Sequence, residues 1–102
     1  MTRMLDIRVD DKGVILLSGR FDASQAAKAE TFMAAVTESR ILDLGELQYI
    51  SSLGLGVLLA TQKRLMGRGH TLKLVNLKGH VREVFHYAGF DAIFSIDPLP
   101  GA

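Results

Sequence analysis

Two adjacent hydroxyls, Ser51 and Ser52, stand where chemistry is most easily placed on this chain. They sit in Tyr49-Ile-Ser-Ser-Leu-Gly-Leu-Gly-Val-Leu-Leu59, at the mouth of an apolar helix and just after an Ile41-Leu-Asp-Leu44 strand. Ser51 or Ser52 can cap that helix by accepting bonds from its first free backbone N–H groups. A phosphate on the same oxygen would meet the positive end of the helix dipole and several unpaired donors. The pattern is therefore suited to a removable negative charge, and a modification switch is the leading expectation.

Other chemistries find less support. The chain has no cysteine, so it offers neither disulfide nor thiolate. Of the three histidines, His80 and His86 are six positions apart on one expected short helix and point in different directions, and His70 has no metal-ligand spacing around it. All three read as surface histidines. No Ser/His/Asp arrangement, paired carboxylates or Walker-type loop suggests catalysis, and Gly54-Leu-Gly56 is too short for a nucleotide loop. The formal net charge of +1 gives no broad electrostatic case for nucleic acid or an anionic membrane. No run approaches the roughly 18 apolar residues of a membrane span. Charges at Arg3, Asp6 and Arg8 interrupt any signal-peptide core, so a cytoplasmic protein is expected.

The elements that must position the two serines follow from periodicity and turn chemistry. With 102 residues, 48% apolar and 23% charged, the chain suits one globular α/β domain with a single core. Leu5–Val9 alternates like a half-exposed strand, Asp10-Asp-Lys-Gly13 is a turn, and Val14–Leu17 reads as a buried strand. Together they predict an opening hairpin. Asp22 and Gln25 form a plausible capping pair for a helix from about Ala23 to Val36, buried along Ala26, Ala29, Phe32, Met33 and Val36. Ile41, Leu42 and Leu44 make a short strand. The helix after Ser52 should run to Met66 and stop before Gly67-Arg-Gly69. Thr71–Asn76 reads as a strand and His80–Ala88 as a short helix with Val81, Val84, Phe85 and Ala88 on one face. Ile93–Ile96 reads as a last strand before Pro98 and Pro100. The order β-β-α-β-α-β-α-β predicts a mostly parallel sheet of four to five strands, an N-terminal hairpin and about three helices.

The helix after Ser52 carries a second signal. At about 100° per residue, Leu55, Leu58, Leu59 and Met66 share one stripe, while Leu53, Val57 and Ala60 fall nearly opposite. One sheet covers one stripe. The other awaits a partner, which could be a second copy in a homodimer, or packs on the helix that starts at His80.

The order of elements, Gly19-Arg-Phe-Asp22, the Asp43-Leu strand end and the Ser-x-Gly-Leu-Gly helix start together resemble the STAS domain, specifically bacterial anti-sigma-factor antagonists. The likeness covers almost the whole chain, with residues 1–97 as the domain and 98–102 as a C-terminal tail. The resemblance implies a small α/β fold and a partner-switching function. Such proteins bind an anti-sigma factor that is also a serine kinase, thereby releasing a sigma factor. The kinase, using ATP and Mg²⁺, phosphorylates one serine and dissociates the pair; a PP2C-type phosphatase restores it. The domain itself is a substrate, not an enzyme, and carries no cofactor.

The family pattern is Asp-Ser-Ser/Thr-Gly-Leu-Gly with the first serine modified. Alignment on Gly54-Leu55-Gly56 places Ser52 at the modified position, Ser51 at the Asp and Leu53 at the second hydroxyl. The implied contact surface centres on Ser51, Ser52, Leu53, Gly54 and Val57, with Asp22 and Ser24 at its edge. Each residue also has a plainer reading: Ser52 as an N-cap, Asp22 as the cap of the first helix, Phe21 and Tyr49 as packing, and Lys63, Arg64 and Arg68 as a solvated basic end. Two other functions remain open. One is an accessory subunit of a membrane transport system, bound constitutively to an ATPase or permease. The other is a nucleotide-binding domain holding phosphate at the Ser52 helix start.

Overall fold

Turn chemistry at Asp10 closes the expected hairpin. Its carboxylate accepts from the backbone N–H groups of Lys12 and Val14 at 2.8 and 2.9 Å, while Gly13 adopts φ +83°. In this computed structural model, which describes residues 3–97, β1 (Asp6–Val9) thus runs antiparallel to β2 (Ile15–Phe21). β3 (Arg40–Ile50), β4 (Leu72–Val75) and β5 (Ser95–Asp97) follow in parallel, and the sheet order is the sequence order. Residues 98–102, with Pro98, Pro100 and the expected tail, lie outside the described residues.

The helices α1 (Ala26–Ala34), α2 (Ser52–Met66) and α3 (Gly79–Tyr87) are the three crossovers. Right-handed crossovers along a sheet whose order never reverses deliver the helices to one face. That face is the core: Ile15, Leu17 and Phe21 of β2, Leu42, Leu44, Leu47 and Ile50 of β3, and Leu72 and Leu74 of β4 are all buried. Alternate residues such as Asp43, Glu46 and Lys73 point the other way and are exposed or half-exposed.

Several expectations shift for physical reasons. β2 and β3 extend to Phe21 and Ile50, beyond their aliphatic runs, because each supplies the other's ladder through two irregularities in register. The capping pair of Asp22 and Gln25 does not form. The Asp22 carboxylate accepts instead from the backbone N and the hydroxyl of Ser24, at 3.1 and 2.6 Å, and Ala23–Gln25 tighten into a 3₁₀ turn. α1 therefore starts at Ala26. Phe32 is only half-buried, and Ala88 is exposed. Ile93 and Phe94 follow a 3₁₀ turn at Phe90–Ala92, where Phe94 packs against Phe85 and Phe90, so β5 begins only at Ser95.

The two stripes of α2 resolve into one broad face of Gly54, Val57, Leu58, Thr61, Gln62 and Leu65. α2 lies beside α1 rather than against α3. Its other flank is pinned by Gln62, 1% exposed, whose amide donates to Thr71 Oγ1 and Ile93 O and accepts from Leu72 N. Arg64 is not part of a solvated end. Its guanidinium donates to Met33 O and Val36 O, each at 2.8 Å, closing the carbonyl end of α1.

Candidate functional site

The site is built where β2 and β3 end together. Phe21 pairs with Ile50, and the Ser51 N–H donates to Phe21 O at 2.9 Å. This bond holds Ser51 in an extended conformation (φ −85°, ψ 169°), from which its Oγ accepts the Gly54 N–H at 3.2 Å. Ser51 is the N-cap of α2. Ser52 is then the first helical residue; it is exposed, and its hydroxyl forms no hydrogen bond among the described residues. The first turn holds no acidic side chain, so nothing there offsets the positive end of the helix.

The two glycines have different causes. A Cβ on Gly54 would come within 2.9 Å of Ile50 Cγ1 and 3.0 Å of the Phe21 ring, so the helix start can approach the sheet only without a side chain. A Cβ on Gly56 would meet nothing within 4 Å. Gly19 of Gly19-Arg-Phe-Asp22 has φ +84°, and a Cβ there would lie 2.5 Å from Met4 O. Glycine therefore lets the N-terminal segment lie close against β2 just before Phe21 and Asp22.

Asp22, half-buried, and Ser24, exposed, stand at the end of β2 beside Ser51. Ser52 and Leu53 are exposed, Leu53 by 56%. Gly54 and Val57, expected on the contact surface, are both buried, with Gly54 beneath it and Val57 lining a groove beside it. Leu53, Gly56, Val57 and Ala60 line this open groove of about 490 Å³ between α2 and α1, with Glu30 and Arg64 at its walls. The second stripe read from the sequence, Leu53, Val57 and Ala60, forms the α2 side of that groove, with Gly56 beside it. Among the described residues no three His, Asp or Glu side chains converge, and no helix is long and apolar enough to cross a membrane.

A family model described as "Mlab, STAS domain" matches residues 6–97. The chain belongs to the STAS domain family. Within it, BtrV of Bordetella bronchiseptica, described as an anti-sigma factor antagonist, is 39% identical over 93 residues, which is 87% of this chain and 80% of BtrV. The solved structure of an anti-sigma factor antagonist from Mycobacterium paratuberculosis superposes with a TM-score of 0.78 at 26% identity, covering 93% of this chain and 85% of that one. SpoIIAA in its unphosphorylated form gives 0.61 at 20% identity, over 82% of this chain and 83% of its own. Phosphorylated SpoIIAA from Bacillus gives 0.59 at 22%, over 91% and 90%. At those identities SpoIIAA shows the shared STAS fold alone. The STAS assignment and the α/β fold expected from the residues thus hold.

Proposed function

We propose that this STAS domain is an anti-sigma-factor antagonist that holds its anti-sigma factor while Ser52 is a free hydroxyl and releases it when Ser52 is phosphorylated. One observation carries this reading: Ser51, not Ser52, caps α2, which leaves the Ser52 hydroxyl exposed and uncommitted at a positive helix end. The relationship to BtrV supports the choice of partner class. The partner is read as a serine kinase as well as an anti-sigma factor, with a PP2C-type phosphatase resetting the switch in the cytoplasm. The domain of this reading spans residues 1–97, followed by a short tail.

The switch works by charge. Phosphate adds about −1.5 to −2 charges at neutral pH. In the free domain the first-turn N–H groups and the helix dipole tolerate that charge. In the complex, Ser52 would be covered beside exposed Leu53, and the phosphate would lose water against a surface fitted to a hydroxyl. A desolvation cost on the order of several kcal/mol weakens binding by orders of magnitude. Gly54 enters this surface only by fixing its shape, while Val57 lines its groove. Leu53, Gly56 and Ala60 supply its apolar area, with Ser51, Asp22 and Ser24 at the polar rim.

Incubation of the purified protein with native cell extract and ATP, followed by phosphopeptide mass spectrometry, tests the site. The expected result is one modification at Ser52, absent in Ser52→Ala and retained in Ser51→Ala. Phosphate at Ser51 or Ser24, or none at all, would contradict the assignment.

A further inference from the structure

Arg20, Tyr49 and His80 form a stacked cluster that neither the core nor the Ser52 site requires. The Arg20 guanidinium carbon lies 4.2 Å from the centroid of the Tyr49 ring. The His80 imidazole lies parallel to the same ring, 3° between planes and 5.4 Å between centroids. The three side chains come from β2, β3 and α3, and Arg20 and Tyr49 are register partners. The next pair along the two strands is Phe21 with Ile50, which leads directly into Asp22 and Ser51. The cluster therefore stands at the strand ends that carry the switch.

Arg20 is fixed but chemically unused. Its backbone N–H donates to Arg3 O at 3.0 Å, and its guanidinium is positioned by the ring. Two other arginines turn their guanidinium groups inward to the fold: Arg40 donates to Gly13 O, and Arg64 donates to Met33 O and Val36 O. Arg20 forms no ion pair and no side-chain hydrogen bond among the described residues. The nearest acids along its strand pair do not neutralise it: Asp22 accepts from Ser24, and Glu46 forms no ion pair among the described residues. What remains is a half-buried planar fork of N–H donors, oriented in advance by an aromatic ring. That geometry matches a carboxylate taken bidentately, and a lysine would not reproduce it.

We propose that Arg20, held against Tyr49 and backed by His80, receives an aspartate or glutamate side chain of the protein that docks at Ser52. The stack is then a second, charge-selective contact of one interface that wraps the ends of β2 and β3. This rests on the partner-binding reading above, and it adds the chemistry of the partner: an acidic residue facing Arg20 at the ends of β2 and β3. Phosphate fits the same fork, so the test must separate the two.

The uniformly labelled protein is titrated by NMR with the peptide Ac-Glu-Asp-Glu-Asp-NH2, with its Gln/Asn analogue and with inorganic phosphate. The acidic peptide is expected to shift the Arg20 Nε–H and Tyr49 ring signals, and the neutral analogue to leave them unmoved. Arg20→Gln abolishes the response while leaving the rest of the amide spectrum in place; Arg20→Lys and Tyr49→Leu weaken it severalfold. No shift at Arg20, an equal response in Arg20→Gln, or tighter binding of phosphate than of the peptide would overturn the proposal. With the purified anti-sigma factor, Arg20→Gln is expected to bind at least tenfold more weakly and still to be released by Ser52 phosphorylation. Wild-type affinity in Arg20→Gln would sink the Arg20 contact and leave the switch standing. Failure to find any such partner would sink the switch, and the peptide titration would still decide the site.

Discussion

Two neighbouring serines of the same type have different work because one backbone hydrogen bond separates them. The Ser51 N–H is held by Phe21 O, which sets Ser51 extended and aims its Oγ at Gly54 N, and Ser52 enters the helix with its hydroxyl free. Ser51→Ala should therefore cost about 1 kcal/mol of stability, as loss of an N-cap does. Ser52→Ala should change stability by less than about 0.5 kcal/mol, the range of a surface substitution. Urea denaturation of the two variants checks this, and the reverse order would make Ser52 the cap. The sequence alone showed both hydroxyls at a helix start. It could not choose between them, because the choice depends on a long-range contact with the end of β2. Alignment on Gly54-Leu55-Gly56 chose Ser52, and the cap geometry gives that choice an independent physical reason.

At the level of elements, Gly54 and Gly56 divide the demands of α2. Gly54→Ala forces a Cβ against Ile50 and Phe21 and should destabilise by about 1–3 kcal/mol. Gly56→Ala adds a methyl in open space and should stabilise by about 0.5–1 kcal/mol by relieving the helix of a flexible residue. Thermal melts of the two variants should move in opposite directions; a loss in both would mean the groove beside Gly56 is tighter than its geometry. Helix existence and the start and stop of α2 were legible from the apolar run, Ser51-Ser52 and Gly67. The buried face was not. Polar Thr61 and Gln62 lie inside it, and a count of apolar positions assigns them outside. β3 was read short for a related reason: past Leu44 its pairing with β2, not its own hydrophobicity, keeps it extended.

Across the whole molecule, Gln62 and Arg64 join layers that apolar packing alone would leave sliding. Gln62 ties α2 to the start of β4 and to the segment before β5; Arg64 ties α2 to the end of α1. Gln62→Leu keeps the volume but leaves the buried Leu72 N–H without its acceptor, a cost on the order of 1–3 kcal/mol. For a domain of this size each kcal/mol lowers Tm by roughly 4–8 °C, which calorimetry resolves. An unchanged Tm would mean that water replaces the amide. The central claim concerns the molecule and its partner together, and a pull-down from native cell extract tests it most directly. The baits are wild type, Ser52→Ala and Ser52→Asp, with bound proteins identified by mass spectrometry. The account predicts an anti-sigma factor with a kinase domain, retained by wild type and Ser52→Ala and lost by Ser52→Asp. The same partners on all three baits, above all an ATPase subunit of a membrane transport system, would contradict it.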